Sequence, residues 1–176
     1  FRNVLELSNL ADDQRSCTDG DPMNSKRVSS LKEYYEEYWN YRITTGRLHT
    51  MDGAWIPHRI RLAVDMILSD FRRSGADSIR LLDVGCGEGA TGKLMSEQFG
   101  EDAKKNSALI GCDISTAALG SAVSYYTEVF NIDIERDAFP DKFKTDEFDY
   151  IVLLDVLEHL IQPSTALDKC HRLLKS

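Results

Sequence analysis

Residues 81 to 89 read LLDVGCGEG, an apolar run that ends on Asp83 and passes into glycines at 85, 87 and 89. Glycines at alternate positions let a chain turn sharply from strand into helix, and they admit a ligand to the main chain where a Cβ would collide. A helix starting there points its free N–H groups and the positive end of its dipole at the ligand, which favours an anionic group. Asp113 ends the next apolar run, ALIGCD, where a carboxylate can accept both hydroxyls of a ribose. The pair predicts a site for a nucleoside-bearing cofactor.

The same loop restricts which cofactor. Gly85, Gly87 and Ala90 satisfy the dinucleotide pattern G-x-G-x-x-G/A, but Asp83 and Glu88 would repel a doubly charged pyrophosphate. An amino-acid moiety beside a cation suits the loop better. S-adenosylmethionine has that makeup: a carboxylate for the backbone N–H groups, and an ammonium and a sulfonium that tolerate nearby acids. Methyl transfer from it is an in-line displacement, so positioning can supply much of the rate, and a base is needed only if the acceptor must lose a proton. His159, just past the apolar run FDYIVLL, is the candidate base. Asp155, Glu158 and His159 stand at i, i+3 and i+4, so on a helical turn they could also share a face and ligate a divalent metal.

Strands must carry these residues to one place. Short apolar runs at Ile79 to Val84, Ala108 to Cys112, Glu128 to Ile132 and Phe148 to Leu154 alternate with helical patterns. The helices are expected at Ala90 to Phe99, after the cap Ser115, and from Pro163 onward. The last strand run is apolar on both faces, which calls for a parallel sheet covered on both sides, with ligands at the carboxyl ends of the strands. Ahead of this α/β core, Ser30 and Glu33 have capping-box spacing before an aromatic helix with Tyr34, Tyr35 and Tyr38 on one face. Apolar residues from Ile56 to Phe71 recur at helical spacing, and Gly75 ends that second helix. Residues 1 to 29 lack periodicity and read as a tail or linker that folds only against something else, 30 to 77 as a helical segment, and 78 to 176 as the core.

From about Ser78 onward the chain resembles the class I S-adenosylmethionine-dependent methyltransferases, on LLDVGCGEG, GCDIS, NIDIERDAFP and FDYIVLLDVLEHL taken in order. The resemblance implies a Rossmann-like doubly wound parallel sheet in which Asp83 and the backbone of Gly85, Cys86 and Gly87 hold the methionine end. Asp113 would hold the ribose, Ile114 would pack on the adenine, Asp133 would receive the adenine amino group with Ile134 alongside, and Leu154 and Asp155 would flank the methionine carboxyl. The aromatic helix would lid the cofactor. The acceptor is expected to be a small molecule methylated on O or N, as in quinone-biosynthesis and natural-product enzymes. Two other readings are a methyltransferase-like binding domain without turnover and a metal-dependent enzyme acting on the 2′-hydroxyl at the 3′ end of small RNAs. That metal pattern has Glu where this chain has Asp155, and it needs a further histidine downstream.

Composition narrows the setting. The chain has 176 residues, 42% hydrophobic and 28% charged, with 21 Lys and Arg against 29 Asp and Glu for a net charge of −8. This is the makeup of one globular domain, and the acidic balance disfavours nucleic acid as a partner. No window has the roughly 18 consecutive apolar residues of a membrane helix. Four cysteines far apart, without CxxC spacing, predict free thiols in a reducing, cytoplasmic compartment. Resembling enzymes build seven strands and only four are legible here, so the chain is expected to be C-terminally truncated. Strand 148 to 154 is then expected to form an edge unless a further segment or chain covers it.

Overall fold

A computed structural model describes residues 4–6, 30–51, 53–100 and 105–176. In chain order its elements are β1 (Val4–Glu6), α1 (Leu31–Thr44), α2 (His58–Ser74), β2 (Arg80–Val84) and α3 (Ala90–Gln98). Then follow β3 (Ala108–Asp113), α4 (Thr116–Ala122), β4 (Glu128–Asn131), β5 (Tyr150–Leu153), a 3₁₀ turn (Leu157–His159) and α5 (Pro163–Leu173). The caps sit where hydroxyl side chains lead their helices: Ser30 accepts from the Glu33 amide at 3.2 Å, and Ser115 from the Ala118 amide at 3.2 Å. Pro163 opens α5, and Gly75 caps the end of α2. α3 stops at Gln98, with Phe99 as its cap.

All strand pairs are parallel, in the order β1-β5-β2-β3-β4. Because side chains alternate across a strand, Leu81 and Val152 enter one apolar cluster with α2, α3 and α4. Leu82, Val84, Ile151 and Leu153 enter the other, with α5 and the segment after β4. This is the α/β fold expected for a strand set apolar on both faces. Phe148 lies outside β5; it bridges Leu174 and is fully buried.

Strand order reverses between β2 and β5: the chain adds β3 and β4 on one side of β2, then returns to place β5 on the other. A crevice at the carboxyl ends of the strands opens at such a switch point. The outer side of β5, expected as an edge, carries β1 in register Val4 to Ile151 and Glu6 to Leu153. Those three residues fall within the stretch read as a tail; residues 1–3 and 7–29 lie outside the described residues. No described helix is long and apolar enough to cross a membrane. Cys86, Cys112 and Cys170 are free and buried.

Candidate functional site

The turn after β2 is built on backbone. The Gly85 and Cys86 amides both donate to the Cys112 carbonyl, at 2.7 and 3.0 Å, which ties the loop to β3. The Gly87 amide donates to Asp113 Oδ2 at 2.8 Å, while Asp113 Oδ1 accepts from the Ser115 amide at 2.9 Å. Gly87 has φ +53, and a Cβ there would lie 2.7 Å from the Trp39 ring of α1. Gly87, expected at the methionine end, and Asp113, expected at the ribose, are thus directly bonded. Asp113 is 7% exposed, and burial pushes its carboxyl up, partly offset by the Ser115 and Gly87 amides.

Asp83 is turned into the interior of the protein. It is 1% exposed and sits beneath the turn, where Oδ2 accepts from the Tyr126 hydroxyl at 2.5 Å and the carboxylate also bonds Thr91. The Tyr126 oxygen in turn accepts from the Gly92 amide at 3.1 Å, so one buried chain of bonds joins β2, α3 and the segment after α4. Glu88, expected to repel a pyrophosphate, is also turned away. Its carboxylate accepts from the amides of His49 and Thr50 and from the Thr50 hydroxyl. The acids in the loop therefore brace it from within the protein, and its Gly85, Cys86 and Gly87 amides are tied to β3 through Cys112 and Asp113.

Desolvation raises Asp83 from its ordinary 3.8 to about 7. An acid whose folded pKa is raised favours folding while protonated. Its contribution is fully present below about pH 4 and is lost as pH climbs to about 7, a swing on the order of 4 kcal/mol. Asp83→Asn keeps an acceptor for Tyr126 without the charge. It is expected to melt higher than the unaltered chain at pH 8, with the gap closing below about pH 5. Melting curves across pH check this; parallel curves would refute it.

The Cys86 side chain is buried in the first apolar cluster, and burial holds its thiol well above the ordinary value. Ile114 is half-buried after β3, and its carbonyl accepts from Asn131 Nδ2 at 2.8 Å. Ile134, expected beside the adenine, is buried in the second apolar cluster, and Leu154 in the first. Asp133 stands at the end of β4, with Oδ1 accepting from the Glu135 amide at 3.1 Å and Oδ2 from Arg136 at 2.8 Å.

The metal-ligand face does not form. Asp155 leaves β5 with φ +56, a left-handed conformation that costs a non-glycine residue energy, and so it stands outside the turn Leu157–His159. Arg59 at the start of α2 takes its carboxylate, Nε to Oδ2 at 2.6 Å. His159 faces Tyr35, ring centroids 5.8 Å apart. Among the described residues no group of three His, Cys, Asp or Glu could hold a metal ion.

The seat of α1 is fixed by contacts far apart in sequence. Lys32 bonds Asn131 at the end of β4 at 3.1 Å. Glu36 accepts from the Ser115 and Thr116 hydroxyls, each at 2.6 Å, and from the Ala117 amide after β3. Trp39 covers Gly87, and Arg42 approaches Glu88 at 3.7 Å. Positions 32, 36, 39 and 42 form one helical face, so α1 spans the carboxyl ends of β4, β3 and β2 in turn. Burial pushes the Glu36 carboxyl up, but the bonds from Ser115, Thr116 and Ala117 outweigh it and hold it below the usual range. None of these partners is close in sequence, and only the spacing of α1 hinted at a face.

Known proteins resemble this chain in sequence and in fold. Ubiquinone biosynthesis O-methyltransferase of Nitrobacter winogradskyi is 25% identical over 166 residues, covering 91% of this chain and 59% of the relative. The enzyme of the same name from Caulobacter vibrioides is 28% identical over 164 residues, covering 88% and 59%. The chain thus spans about three fifths of the length of these curated relatives. Among solved structures, magnesium protoporphyrin IX methyltransferase from Synechocystis PCC 6803 with bound SAM superposes with TM-score 0.55 at 17% identity, covering 84% of this chain and 74% of that one. A plantazolicin methyltransferase in complex with a substrate analogue and SAH gives 0.59 at 18%, covering 82% and 53%. At this identity both speak to the fold. The profile of the methyltransferase domain family matches residues 82–176, a stretch that contains all four strand ends bordering the crevice, and the chain belongs to that family.

Proposed function

We propose that the chain binds S-adenosylmethionine across the carboxyl ends of β2 to β5 and transfers its methyl group to an oxygen or nitrogen of a small-molecule acceptor. The observation that carries the reading is the bond from the Gly87 amide to Asp113, which unites the glycine turn and the ribose-type acid at the switch point. In this reading the Gly85 to Gly87 backbone and the Leu154–Asp155 turn hold the methionine end, Asp113 the ribose, and Asp133 the adenine amino group. Asp83 acts from beneath, through Tyr126 and Thr91. When bound, the sulfonium supplies an already activated methyl group. His159, exposed at the rim, takes the acceptor's proton where the acceptor is a hydroxyl. The acceptor class follows the relatives, whose names point to quinone precursors. The buried free thiols suit a cytoplasmic setting.

In the same reading α1 is the lid of the cofactor site, seated by Glu36 on α4 and by Trp39 on Gly87. Saturating S-adenosylhomocysteine, at about 100 times Kd, is expected to add about 2.7 kcal/mol and raise the melting temperature by roughly 5 to 10 °C. NAD should leave it unchanged; stabilisation by NAD alone would overturn the cofactor assignment. Trp39 and Trp55 are the two tryptophans of the chain. Titration with S-adenosylhomocysteine is expected to change the fluorescence of Trp55→Phe but not that of Trp39→Phe. The reverse would place the lid elsewhere.

A further inference from the structure

Lys169 lies on α5, away from the crevice, yet all of its hydrogen-bonding capacity goes to one loop. Its Nζ donates to the carbonyls of Ile134 at 2.6 Å, Glu135 at 3.0 Å and Asp137 at 2.8 Å. An ammonium has three donors, and here each has a backbone acceptor between 134 and 137, whereas a surface lysine ordinarily keeps its head in water. The loop is closed further from within. The Asp133 amide donates to Asp137 Oδ2 at 2.8 Å, and the Asp137 amide to the Asp133 carbonyl at 2.8 Å. Gln162, the cap of α5, donates its amide to Glu135 Oε1 at 2.7 Å.

This loop follows β4 directly and borders the crevice. Asn131, the last residue of β4, donates Nδ2 to the carbonyls of Asp113 and Ile114 at 3.0 and 2.8 Å, which joins the loop to the strand end that carries the ribose-type acid. Ile134 is buried in the core, and the Asp133 carboxylate is held on the loop itself, Oδ1 by the Glu135 and Arg136 amides at 3.1 and 3.3 Å and Oδ2 by Arg136 at 2.8 Å. Its orientation depends on the turn that Lys169 holds.

We infer that Lys169 is a positioning residue of the adenine subsite, its ammonium fixing residues 134 to 137 so that the Asp133 carboxylate meets the 6-amino group of an adenine. The inference rests on the S-adenosylmethionine reading above. It goes beyond that reading in making selection of the base depend on a residue of α5 that touches no ligand. Lys169→Met keeps the stem and removes the donors. Lys169→Arg keeps the charge but cannot place three N–H groups on the same carbonyls.

The test measures Kd for S-adenosylhomocysteine and S-inosylhomocysteine, which has an oxo group where adenine has its amino group. The unaltered chain is expected to prefer the adenosyl compound by about tenfold, the value of one hydrogen bond to a charged group. Lys169→Met should cut that preference to about threefold or less, chiefly by weakening the adenosyl compound, and Lys169→Arg should fall between. A merely structural role would lower the melting temperature and leave the ratio unchanged, which would overturn the inference even if only Lys169→Arg folds well enough to titrate. Binding of S-adenosylhomocysteine by the unaltered chain with no preference over the inosyl compound would overturn it while leaving the cofactor reading intact. Failure to bind either compound would remove both.

Discussion

Gly92→Ala is expected to destabilise the protein by roughly 2 to 3 kcal/mol and lower its melting temperature by about 5 to 10 °C. The sign is informative, because replacing glycine by alanine inside a helix ordinarily gains up to about 1 kcal/mol. Gly92 lies in the first turns of α3, where an added Cβ would stand 2.7 Å from the Tyr126 ring and 2.9 Å from the Tyr125 carbonyl oxygen. The ring has little room to move. Its hydroxyl is held by Asp83 and the Gly92 amide, and Gly111 on β3 packs against its edge. The tight contact is what lets Tyr126 reach the buried carboxylate under the glycine turn. Thermal melts of the single variant check this, and a rise in stability would show that Tyr126 does not occupy that place.

Asp113→Ala is expected to weaken binding of S-adenosylhomocysteine by about one to two orders of magnitude, from the loss of about 1.5 to 3 kcal/mol of charge-assisted hydrogen bonding. The structure adds a second consequence. The same carboxylate accepts from the Gly87 and Ser115 amides, so the variant also leaves two amides without their acceptor and loosens the turn. Asp113→Asn retains an acceptor oxygen and should keep more of the loop's stability than of the ribose affinity. Calorimetric affinity beside melting temperature separates the two effects. Unchanged affinity in Asp113→Ala would remove the ribose assignment.

Local patterns were legible. The apolar runs became β2 to β5 within a residue or two, since a strand apolar on both faces has one comfortable place, inside a covered parallel sheet. Ser30 and Ser115 cap their helices because a hydroxyl one residue ahead can reach the free amides. The turn at 85 to 89 and the acid at 113 reached one crevice because both follow neighbouring parallel strands. Pattern could not tell which face of a turn a short side chain takes. Asp83 and Glu88 looked alike as acids in a glycine loop, yet Tyr126 takes the first and the segment at 49 and 50 the second.

The sequence alone determined the α/β class, the place of the glycine turn and Asp113 at strand ends, and the aromatic character of α1, because each depends on neighbours within a few residues. Only the tertiary structure decided the rest. Glu36 caps α4 across 80 residues, Lys169 grips a loop more than 30 residues earlier, and Asp155 turns out of the helical pattern toward Arg59. These pairings depend on where the parallel crossovers set the strand ends side by side, and hydrogen bonds a few ångströms long leave no trace in spacing along the chain.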